Sequence, residues 1–146
     1  MLDPKKGNYA RFKSGLDTVM NGTLLLLLIG HTTIIAYGLG YPVDVSTIMA
    51  VTVGLLFVLI GNVMPRFQAN YFVGVRTPWT LANEEVWRKT HHLGGWSFVL
   101  GGLAVICTAF LGAAVQFTAI VSVALLTAII TLAGSNYYYK RETRGN

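Results

Sequence analysis

Charge is missing from two long stretches of this chain, and that absence limits what it can become. From Thr18 to Pro65 the only formal charge is Asp44, and from Thr90 to Tyr139 there is none. A helix rises about 1.5 Å per residue, so about 20 apolar residues cross a hydrocarbon core about 30 Å thick. Each stretch holds enough residues for two crossings. Only 12% of the 146 residues are charged, and mean hydropathy is +0.56. An average soluble domain carries about 25% charge. The composition excludes an ordinary cytosolic enzyme and a disordered chain.

The expected fold is all-α: one membrane domain over residues 1–146, built as a four-helix bundle with spans at about 18–39, 45–64, 96–115 and 117–139. The first span contains the run Leu24–Ile29, and the turn Gly40-Tyr41-Pro42-Val43-Asp44 ends it. Pro65 ends the second. The segment before span one is long and polar, and no small-residue cleavage site follows it. It is therefore expected to be an uncleaved span. Tyr9, Phe12 and Leu16 share helical spacing beside Lys13, which suits a short helix on the membrane surface.

Eleven basic residues fall in three segments: before span one, between spans two and three, and after span four. An even number of spans puts all three on one side. The positive-inside bias then gives a cell-membrane protein with both termini and the 65–95 loop in the cytoplasm. A pI of about 9.6 calls for no nucleic acid, because anionic inner-leaflet lipid accounts for it.

Chemistry is sparse. Cys107 is the single cysteine, so there is no intrachain disulfide and no thiol metal site. P-loop, GxGxxG, HExxH and CxxC patterns are absent. No cofactor, metal or catalytic residue is expected. His91 and His92 are adjacent and point about 100° apart on a helix, which makes a metal site a poor fit. His31, beside Thr32 and Thr33, reads as a packing residue within span one. Asp44 reads as solvated. Ser97, Gly101, Ala104, Thr108 and Gly112 form a small-residue stripe for close helix approach, with Ala124 and Ala128 serving span four. Tyr137–Tyr139 form an interfacial belt.

The middle segment, Pro65–Gly95, is too polar to span and too patterned for a linker. Its second half predicts a helix capped by Thr80 or Asn83, with Glu84 and Glu85 in the first turn. Glu84–Arg88 and Glu85–Lys89 are i,i+4 pairs, and Trp87 shares a face with His91. Gly94 and Gly95 are expected to bend the chain into span three. Asn70–Trp79 mixes aromatics with Gly and Pro, as expected of a structured loop against a membrane surface.

Gly61-Asn62, Pro65, Asn70–Trp79, Asn83–Trp87, Thr90-His91 and Gly94-Gly95, taken in order, resemble the signature of the SdpI family. This resemblance implies a bacterial membrane protein of the kind that gives immunity to a secreted sporulation-delaying toxin peptide. It also implies a signalling role, with a transcriptional repressor held at the membrane. The likeness is to the C-terminal part of full-length members, which carry an additional N-terminal membrane domain.

Asn21, Asn62, Ser135 and Asn136 fall at one depth, on the side of the loop. The loop is expected to fold over that end and form a polar pocket with Asn62. Asn70, Arg76, Glu84, Glu85, Arg88 and His91 would line or brace it, and Trp79 and Trp87 would anchor it at the interface. Arg76 is the candidate grip for a carboxylate or phosphate, through its bidentate fork. Three functions compete. The first is an immunity or signalling protein that binds a toxin peptide or a cytoplasmic regulator. The second is an accessory subunit docking larger membrane subunits through the loop. The third is a transporter or membrane enzyme, which lacks intramembrane carboxylate pairs, a broken helix pair and a nucleophile with its base.

Overall fold

In a computed structural model, residues 9–71 and 73–144 are described, without the side chains of residues 9–12. Lys5, Lys6 and Phe72, and the side chains of Tyr9 and Phe12, therefore lie outside the described residues. Every regular element among the described residues is helical: α1 (Tyr9–Gly38), α2 (Val45–Val63), α3 (Pro78–Ala82), α4 (Glu84–Cys107) and α5 (Ala113–Arg144). Single 3-10 turns extend α2 through Met64–Arg66 and α4 through Thr108–Phe110. Four of the helices are long and apolar enough to cross a membrane. The chain is a multi-pass membrane protein.

The helices form an open arrangement and not a closed bundle. α2 and α4 make the central pair, α5 packs on both, and α1 touches only α2 and the turn that follows it. Sequence could not reveal this, because a helix that is apolar all round does not show which face meets protein. Leu24, Leu27, Leu28 and Ile34 of α1 are each about 60% exposed. In water such a surface would be a liability, but in a bilayer the acyl chains cover it.

Two glycine pairs set the separation of the central helices. A methyl group at Gly61 would lie 2.6 Å from the Gly95 carbonyl oxygen, and one at Gly102 would lie 2.6 Å from that of Gly54. The helices are antiparallel, and their backbones touch at both crossings. Phe57 and Phe98 meet edge to face between them, with ring centroids 5.5 Å apart. The expected bend at Gly94–Gly95 is not there, since α4 runs unbroken through both. Gly95 serves close approach to α2, while Gly94 makes room for Met64 and Thr131. In the stripe read from sequence, Gly101 faces Val123 of α5, and Ala104 is exposed.

The two ends of the molecule differ. At one end Asp44 caps α2, accepting from the Thr47 amide and from the hydroxyls of Thr47 and Ser46. Those bonds, led by the Thr47 hydroxyl, hold its carboxyl down at about 2. Asp44 is thus a helix cap and not merely a solvated charge. The turn between the last two spans falls at Leu111–Gly112. Gln116 therefore lies inside α5, donating to the carbonyls of Ala109 and Leu111. All other charged side chains among the described residues gather at the opposite end, with the long loop.

Candidate functional site

The loop end is built outward from a buried pair. Trp87 and His91 are one turn apart on α4, and their rings stack with centroids 4.2 Å apart and planes 18° apart. Both are fully or almost fully buried. Each then fixes a different part of the loop. The Trp87 indole N–H donates to the Phe67 carbonyl at 2.7 Å. His91 Nε2 accepts from the Val75 amide at 3.1 Å, while Nδ1 lies 2.9 Å from the Trp87 carbonyl. Nδ1 therefore carries the hydrogen and Nε2 the lone pair, so the ring is neutral in this arrangement. Gly74 precedes the anchored amide at φ +111°, packed against both rings where a side chain has no room.

Short polar side chains finish the scaffold. Asn70 is 1% exposed; its amide donates to Gln68 and Val73 carbonyls and its oxygen accepts from the Val73 amide. Thr77 caps α3 through a reciprocal box with Thr80, whose hydroxyl reaches the Val75 carbonyl at 2.8 Å. The Thr77 hydroxyl also lies 3.3 Å from that of Ser135, which joins the loop to α5. Asn83 caps α4 by accepting from the amides of Glu85 and Val86. Of the two caps expected for this helix, Asn83 is the one used, while Thr80 serves in the α3 box with Thr77; Thr-Pro with a hydroxyl three residues after the Thr is a readable helix start.

Charged residues lie outside this scaffold. Arg88 grips Glu85 with two bonds of 2.9 and 2.7 Å, so it does not make the expected pair with Glu84. Lys89 bridges Glu85 at 3.3 Å, as its spacing predicts, and Glu142 of α5 at 2.5 Å. Glu84, Glu85 and Arg88 border a polar cleft of about 560 Å³ that Arg66 and Gln68 close on the loop side.

The expected site thus separates into three groups. Asn70, Trp87 and His91 are internal supports, and Trp87 is buried instead of anchoring at the interface. Glu84, Glu85 and Arg88 form the cleft. Arg76 and Trp79 occupy the outer loop, where Trp79 is half-buried and Arg76 is exposed. Arg76 donates to the Tyr71 carbonyl at 2.6 Å and makes no ion pair among the described residues. Asn62 joins none of these groups. It is exposed on the flank of α2 and faces a groove shared with α4, because its position on the helix turns it away from the loop.

Residues 66–135 match the model of the SdpI/YfhL protein family. The chain is 33% identical over 129 residues to the immunity protein SdpI of Bacillus subtilis (strain 168), over 88% of this chain and 62% of that protein. It therefore spans less than two thirds of that relative's length. No solved structure matches it.

Proposed function

We propose, from the match of residues 66–135 to the SdpI/YfhL family and the likeness to an immunity protein, that the chain is a member of that family and an immunity or signalling protein of the cell membrane. It acts by binding a membrane-active peptide or a protein partner, and it performs no chemistry. The loop end faces the cytoplasm, as the positions of the basic residues favour.

One observation carries this reading: family-matched residues are used to hold the loop rigid beneath an open guanidinium. Asn70, Thr77, Trp87 and His91 spend their hydrogen bonds inside the protein. Arg76 has a single described backbone partner, so the rest of its fork is available to a carboxylate on a peptide or protein. A preorganised loop loses less entropy on binding than a mobile one.

The test is survival of peptide-sensitive cells that express this chain during challenge with a membrane-active peptide toxin. Wild type is expected to protect them, and Arg76→Ala, present in the membrane at the same level, to lose that protection. Full expression without protection would overturn the immunity reading. Protection undiminished in Arg76→Ala would remove Arg76 from the site. Mild-detergent purification with stoichiometric larger subunits would favour an accessory subunit instead.

A further inference from the structure

On the flank of the α2/α4 pair lies a groove of about 460 Å³. Its floor is the Gly61–Gly95 crossing, where the absence of side chains lets the surface sink between the helices. Val58 and Val99 line one end of it, and Asn62, Pro65, His92 and Trp96 line the other. The polar end lies one turn or less from Arg66 on the α2 side and from Arg88 on α4. Asn62 and His92 are both exposed, and neither has a hydrogen-bond partner among the described residues. Trp96 is 66% exposed beside them.

Depth makes this arrangement specific. The valines lie toward the middle of the two spanning helices. The polar pair lies nearer their charged ends, four residues from Arg66 and Arg88, beside a Trp of the kind that favours the membrane interface. An unpartnered amide and imidazole at that level have N–H donors to offer. No Lys or Arg lines the groove itself, but Arg66, one turn beyond Asn62 and bordering the neighbouring cleft, makes no ion pair among the described residues. Basic side chains beside pockets between spanning helices recur at sites for anionic lipid head groups.

We propose that this groove seats one phospholipid. Asn62 and His92 donate to its phosphodiester, Arg66 supplies the countercharge at the rim, and an acyl chain lies along Val58 and Val99. The groove is distinct from the Arg76 face on which peptide or partner binding was argued, although Arg66 also borders the Glu84–Glu85–Arg88 cleft, and the lipid reading stands or falls independently of that one.

Native mass spectrometry of the full chain, released from detergent with added phosphatidylglycerol, tests this. Wild type is expected to retain one lipid per chain, and inorganic phosphate in excess is expected not to displace it. Asn62→Leu/His92→Leu is expected to retain at least tenfold less. Neither side chain has a described protein partner, so that variant should fold, and an unchanged melting temperature in delipidated detergent checks it. Asn62→Gln/His92→Gln keeps the donors and should keep the lipid. Equal retention by the leucine variant would overturn the proposal, as would displacement by inorganic phosphate or the absence of any retained lipid.

Discussion

At the scale of single residues, His91 ties α4 to the loop. It is fully buried, stacks on Trp87 and offers the Val75 amide its acceptor. His91→Phe would preserve the stack and remove the acceptor, leaving that amide unpaired at a cost of about 1–3 kcal/mol. The expected outcome is a lower melting temperature in detergent with faster hydrogen exchange at Val75, and His91→Gln should recover part of both. Unchanged Val75 protection in His91→Phe would mean the bond does not hold the loop. That Trp87 and His91 share a face was legible, because spacing of four residues dictates it. That both are buried was not legible. What covers them comes from Phe67 and from Gly74–Val75, in a segment without periodicity to read. For the same reason Arg76 was identifiable as a candidate grip, while Asn70, equally polar, could not be recognised as an internal brace.

At the scale of elements, the α2/α4 contact depends on glycine for space and not for flexibility. A methyl at Gly61 would meet the Gly95 carbonyl oxygen at 2.6 Å and the Val99 amide nitrogen at 2.7 Å, and backbone atoms cannot swing aside. Gly61→Ala must push the helices apart, and overpacking of this kind costs about 1–3 kcal/mol. Gly112 has nothing within 4 Å of where its methyl would stand, so Gly112→Ala is expected to stay within about 0.5 kcal/mol of wild type. Thermal unfolding of both variants in one detergent measures the contrast, and equal stability would show that the helices can separate without penalty. Sequence reasoning located the helices but misassigned this pair. A glycine inside a helix can mark a bend or a close approach, and only the partner helix decides which. Gly54 and Gly102 repeat the same pairing seven residues along each helix, a spacing that had meaning only once the two strings were set antiparallel.

At the scale of the molecule, the separation of charge is the organising fact. Among the described residues Asp44 stands alone at one end, while Arg66, Arg76, Arg88, Lys89, Lys140, Arg141 and Arg144 share the other with the loop. The number of spans could be read because hydrocarbon thickness sets a length that uncharged sequence must fill. The open order of helices could not, because lipid and protein are alike to a leucine. Orientation follows from the basic residues if they obey the positive-inside bias, and it decides what the loop can meet. Single cysteines in a Cys107→Ala background test this with a membrane-impermeant maleimide on intact cells. Tyr41→Cys, at the Asp44 end, is expected to label from outside. Gln68→Cys in the loop and Thr143→Cys at the end of α5 are expected to label only after permeabilisation. The inverse pattern would place Arg76 outside the cell. A cytoplasmic partner would then be impossible, and a peptide arriving from outside would meet the loop before it entered the bilayer.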